Sequence, residues 1–64
     1  HEWLTRARME QAADLLRTTD QPVHAVGASA GYPDPFHFSR VFRRFAGISP
    51  RGYRVQSRRL AQRA

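Results

Sequence analysis

Residues 35–47, PFHFSRVFRRFAG, hold four phenylalanines and three arginines in thirteen positions without a single acid. Apolar and cationic residues mixed on one helix face would make a membrane-seeking segment. Separated onto opposite faces, they would make a packed helix that presents arginine to an anionic partner. On a helix of 3.6 residues per turn, Phe38, Val41, Phe42 and Phe45 fall at i, i+3, i+4 and i+7, a single stripe. Pro35, Phe36, His37, Ser39, Arg40, Arg43 and Arg44 lie outside it. The two kinds of residue separate. Burying the stripe contributes about 1.5–3 kcal/mol per large side chain, so it belongs to a core.

The neighbouring turn residues frame this helix. Asp34 is placed to cap its N-terminus with Pro35 at the first position, and Gly47 stops it, which predicts a helix over 35–46. Upstream, Gly31 ends a shorter helix, PVHAVGASA, that opens at Pro22 and carries Val23, Val26 and Ala30 on one side. Gly27 inside that helix costs about 1 kcal/mol relative to alanine, a cost that close approach of another helix would explain. Two short helices joined by a Gly-containing turn of three or four residues form a helix-turn-helix over residues 22–46. Residues 2–18 lack proline and glycine, are rich in strong helix formers, and repeat Leu4, Ala12, Leu15 and Leu16 near helical spacing. They predict a long amphipathic helix ended by TTDQP. Downstream, Ser49 and Pro50 repeat the cap-then-proline signal and start a last helix, within 49–62, carrying Tyr53 and Leu60. No segment alternates with period two, so the chain reads all-α. The expected core is Leu15, Leu16, Val26, Phe38, Val41, Phe42, Phe45 and Tyr53.

Sixty-four residues make one small domain or part of one, able to bury only about 60% of the unfolded surface. The chain opens on a histidine and is expected to start partway through a longer product. Cysteine is absent, which removes disulfides, thiolate chemistry and cysteine-based zinc sites. No apolar run approaches the about 20 residues needed to span a bilayer. The charge is strongly divided. Residues 1–34 hold all five acids against Arg6, Arg8 and Arg17, net −2, whereas residues 35–64 hold eight arginines and no acid, net +8. A half-chain this basic attracts a polyanion, nucleic acid before an anionic membrane.

The run AADLLRTTDQPVHAVGASAGYPDPFHFSRVFRRFAGISPRGYR resembles the C-terminal half of the DNA-binding domain of AraC/XylS-type transcription regulators. The similarity covers residues 4–54. It rests on Ala12, Leu15 and Leu16, Val26, Gly31 and Tyr32, Phe38 to Arg40 with Phe42 and Arg43, Gly47, Ser49 and Pro50, and Tyr53 with Arg54. That family's domain has two helix-turn-helix units joined by a long helix, with a recognition helix from each in successive major grooves. The resemblance implies that residues 2–18 are the connecting helix, 22–46 the second unit with recognition helix 35–46, and 49–62 a C-terminal helix. The whole chain, 1–64, is then a single partial domain. The first unit and an effector or dimerisation domain are expected elsewhere in the same protein, and the isolated piece is expected to self-associate through Trp3 or Leu4. Gly27 stands where the family usually has alanine. Pro35 and Phe36 stand where many members are polar, so site preference does not transfer.

In a helix-turn-helix the N-terminal residues of the second helix meet base edges. This nominates Phe36, His37, Ser39 and Arg40. Arg40 leads because guanidinium pairs bidentately with guanine O6 and N7; its other readings are a phosphate clamp or a surface ion pair. Phe36 either caps the core from its edge or touches a thymine methyl. Arg43 and Arg44, one turn further on, are expected on phosphate, as are the amides near Val23 and His24. Arg54 belongs to the family's closing motif and has a structural reading. Arg58, Arg59 and Arg63 are either an electrostatic tail or a solvated helix end.

The function read from these residues is sequence-specific binding of double-stranded DNA by a bacterial transcription regulator, placed in the cytoplasm on the nucleoid. The alternative is a protein-interaction module that contacts RNA polymerase or a partner subunit, as the family does through this unit. Catalysis is not expected: His1, His24 and His37 have no ligand-like spacing, and no nucleophile–base constellation stands out. No cofactor and no metal are implied.

Overall fold

The computed structural model describes residues 2–62; His1, Arg63 and Ala64 lie outside them, and with them the reading of Arg63 as a tail cation. Four helices follow one another: α1 Glu2–Thr18, α2 Val23–Ser29, α3 Pro35–Ala46 and α4 Pro50–Gln62. No strand occurs among the described residues.

Local chemistry sets the helix ends. Asp34 caps α3, its Oδ1 accepting from the amide of Phe36 at 3.0 Å with Pro35 next to the cap. Gly47 closes α3 at φ 85°, a left-handed conformation that side-chain-bearing residues resist. Ser49 caps α4, its Oγ accepting from the amide of Gly52 at 3.0 Å. α2 begins one residue later than expected: Pro22 is its cap rather than its first residue, and the Pro22 carbonyl accepts from Ala25 and Val26.

Eight apolar residues form the core: Met9, Ala12, Ala13, Leu16, Val26, Ala30, Phe38 and Phe42. The α1 stripe is therefore Met9, Ala12, Ala13 and Leu16, spaced i, i+3, i+4 and i+7. Leu4 lies outside that register and is exposed. Leu15, Val41 and Tyr53, expected in the core, are half-buried and pack against it. Phe45 is a correction: it was expected inside but is 39% exposed. Its ring meets Phe42 on one side only, at 6.0 Å between centroids. The cause is position, because the last turn of α3 faces the start of α1 across an open groove whose α1 side includes the exposed Glu2 and Trp3.

Two contacts fix the helices against one another. A Cβ on Gly27 would stand 2.7 Å from Cγ and Cδ2 of Phe38, so the ring of α3 lies directly on the backbone of α2. Arg54 of α4 donates from Nε to the Leu16 carbonyl at 3.0 Å and from a terminal nitrogen to the Thr19 carbonyl at 3.2 Å. It thereby satisfies acceptors that the end of α1 leaves free. Arg58 adds an ion pair with Asp20, so it is neither a free tail cation nor merely solvated.

These contacts set two expectations for urea unfolding. Gly27→Ala gains about 1 kcal/mol of helix propensity but overpacks against Phe38 at a typical cost of about 1–3 kcal/mol. The net result is a loss of about 1 kcal/mol, relieved when Phe38→Leu is added; simple additivity would show that the contact is not tight. Arg54→Ala costs about 2 kcal/mol through two charged hydrogen bonds, and Arg54→Lys recovers only part, since an ammonium lacks the planar fork.

Candidate nucleic-acid interface

The interface is built on α3. Phe38 and Phe42 are fully buried, and their burial fixes the rotation of the helix. At 100° per residue, Phe36, Arg40 and Arg43 then fall along the ridge opposite the buried stripe. All three are exposed, Phe36 at 78%. Ser39 is half-buried on one flank. His37 and Arg44 occupy the other flank, where they line a shallow groove with Glu2, Trp3 and Arg6 of α1, Tyr32, Val41 and Phe45.

The four candidate base contacts therefore do not share one direction. Phe36 and Arg40 lie together on the outward ridge. His37 turns toward α1, its ring edge-on to Tyr32 at 5.2 Å between centroids. Tyr32 also approaches Phe38 at 6.2 Å, so the α2–α3 turn is tied to the core and to the start of α3. The Tyr32 amide donates to the Gly27 carbonyl at 2.8 Å and tightens the same turn. Sequence reasoning noticed Tyr32 only as part of a family motif. Its aromatic ring five residues before His37 is the signal that was available.

The electrostatics separate the arginines by role. Arg17 pairs with Asp14 and Arg58 with Asp20, while Arg54 caps α1. Among the described residues Arg40, Arg43 and Arg44 meet no carboxylate, which removes the surface ion pair as a reading of Arg40. Asp34 at the start of α3 has its carboxylate engaged by the Phe36 amide, and Glu2 of α1 lines the Arg44 flank without pairing with it. α3 itself carries no acid, and its three guanidinium groups have no carboxylate partner among the described residues. Arg6 of α1, absent from the expected contacts, joins Arg44 around the groove. Val23 is half-buried and His24 exposed at the start of α2, where no side chain caps the helix.

Other chemistries find little here. No group of three His, Cys, Asp or Glu that could hold a metal ion exists among the described residues. None of the helices described is long and apolar enough to cross a membrane.

A family model described as a helix-turn-helix domain matches residues 1–56. The chain is 47% identical over 58 residues to the transcriptional activator NphR of Rhodococcus sp., covering 91% of this chain and 17% of that protein. It is 43% identical over 51 residues to the MmsAB operon regulatory protein of Pseudomonas aeruginosa, covering 80% and 17%. It is 42% identical over 53 residues to the arabinose operon regulatory protein of Escherichia coli, covering 83% and 18%. The chain thus spans less than a fifth of each of these relatives, two named as operon regulatory proteins and one as a transcriptional activator. No solved structure matches it significantly. With a buried Phe38–Phe42 stripe, a turn closed on Gly27 and a domain match over most of its length, the chain belongs to the AraC/XylS-type family of helix-turn-helix transcription regulators.

Proposed function

We propose that this chain binds double-stranded DNA sequence-specifically, with α3 in the major groove, as part of a cytoplasmic bacterial transcription regulator. The observation that carries the reading is the outward ridge of α3: unpaired arginines, no free acid, and a buried face that fixes its direction. Arg40 reads a base edge, with Phe36, His37 and Ser39 around it. Arg43 and Arg44 hold phosphates, joined by the uncapped amides of Val23 and His24. The relatives are named as regulators rather than enzymes, which supports a role without catalysis.

A second reading, a protein-interaction role with RNA polymerase or a partner subunit, draws on the exposed Trp3 (73%) and Phe45 beside one groove. In our reading that groove takes the first helix-turn-helix unit of the same protein, consistent with relatives of which this chain spans less than a fifth. An isolated 64-residue piece is then expected to self-associate through the groove, visible as concentration-dependent sedimentation that Trp3→Ala suppresses. Monodisperse behaviour at all concentrations would count against it.

The DNA reading is tested by titrating a labelled duplex at several salt concentrations. About four arginines on backbone phosphates, Arg43 and Arg44 among them, give a log–log slope near −3.6, and a flat response removes the reading. On a site selected from random duplexes, Arg40→Ala costs about 1–3 kcal/mol and relaxes preference at one base pair. Arg43→Ala and Arg44→Ala instead weaken every sequence alike and lower the slope by about one. Arg40→Lys does not restore preference, because a point charge lacks the planar fork. Equal loss on every duplex in Arg40→Ala would reassign Arg40 to phosphate.

A further inference from the structure

We infer that Phe36 is a specificity residue that reads the methyl group of a thymine one or two base pairs from the guanine paired by Arg40. The inference rests on the DNA reading above and adds to it the chemical group recognised at the N-terminal end of the ridge.

Phe36 has no structural employment. It is 78% exposed, the most exposed large apolar side chain among the described residues. The aromatic contacts of the core link Tyr32, Phe38, Phe42, Phe45 and Tyr53, with His37 at their edge, and Phe36 takes part in none of them. It therefore does not cap the core. Its backbone is nonetheless well placed: Pro35 precedes it, and its amide is held by Asp34. That amide is consequently not free for a phosphate, and the Asp34 carboxylate beside it repels one. What this end of α3 offers a duplex is an apolar ring.

The partner follows from what a major groove contains. Stacked bases hide their faces, and along the groove the edges are hydrogen-bonding groups except for the thymine C5-methyl, the one apolar group displayed there. Phe36 and Arg40 are four residues apart on the same ridge, a separation of about 6 Å along the axis at 1.5 Å per residue. Base pairs repeat every 3.4 Å or so, which puts the methyl within about two base pairs of the guanine.

The test uses the natural protein that carries this chain and the duplex it selects, with each thymine replaced in turn by deoxyuridine. This change removes the methyl and leaves every hydrogen-bonding group in place. One replacement, within two base pairs of the position where Arg40→Ala loses discrimination, should weaken binding about fourfold, the effect of one methylene-sized apolar group left unburied. Phe36→Ala should bind the thymine and deoxyuridine duplexes equally, and Phe36→Leu should retain part of the difference. Because Phe36 lies outside the core, these variants keep the wild-type unfolding transition. Discrimination between duplexes with no response to any methyl removal overturns the Phe36 assignment alone. A methyl response undiminished in Phe36→Ala overturns it as well. Absence of any discrimination overturns the DNA reading and this inference together.

Discussion

The seat of Phe38 on the bare backbone of Gly27 is the constraint on which the other features depend. α2 has seven residues, too few to be stable alone, and exists because its buried face is covered by α3 and α1. α3 lies close to it because glycine leaves the ring of Phe38 room that a Cβ would occupy. Once Phe38 is placed, Phe42 falls one turn further along the same face, between Phe38 at 5.8 Å and Tyr53 of α4 at 5.4 Å between centroids. Each such ring contributes about 1.5–3 kcal/mol on burial, a large share of what a domain of this size can hold. The rotation of α3 about its axis is then no longer free, and the ridge carrying Phe36 and Arg40 points away from the protein by consequence.

Arginine does two kinds of work in this chain. In the C-terminal half, Arg54 and Arg58 turn back on the end of α1, where carbonyl groups and Asp20 provide negative partners. They tie α4 to the end of α1, Arg54 through backbone carbonyls and Arg58 through an exposed ion pair. On α3 the acids have been removed instead, and Arg40, Arg43 and Arg44 remain without partners. A net charge of +6 therefore understates the local field on one side and overstates it on the other. Unpaired cations on a rigid element draw in a polyanion before any base is read.

The features legible in the sequence were those determined by neighbours in the chain. Asp34, Gly47 and Ser49 announce helix ends because a cap acts over two or three residues, and each caps or stops its helix as that predicts. The apolar stripe of α3 gave its facing for the same reason. Phe45 failed because periodicity reports which side a residue faces and not where the opposing helix stops. Leu4 and Leu15 lie off the buried register of α1, which runs through Met9, Ala12, Ala13 and Leu16; a list of leucines alone does not find Met9 and Ala13. The Arg54 and Arg58 contacts join residues 35 to 39 positions apart. Only the family motif hinted at the first, and nothing local to the sequence pairs Arg58 with Asp20.

The same division explains why the site was partly visible. Exposure on α3 follows from helical geometry, so Arg40 could be named from sequence. His37 and Phe36 are adjacent, and their difference depends on Tyr32, which lies across the turn and meets the histidine ring in a T-shaped contact. That contact leaves Phe36 as the one aromatic of α3 without an aromatic partner. A short helix held by one tight contact and one aromatic turn has little freedom to adapt its ridge to different partners. Rigidity of this kind favours discrimination over general attraction, because a misplaced base must then be met by the ridge as it stands. In the proposed reading, the arginines on the ridge and flank supply attraction to any duplex, and the spacing between an apolar ring and a planar guanidinium tells one duplex from another.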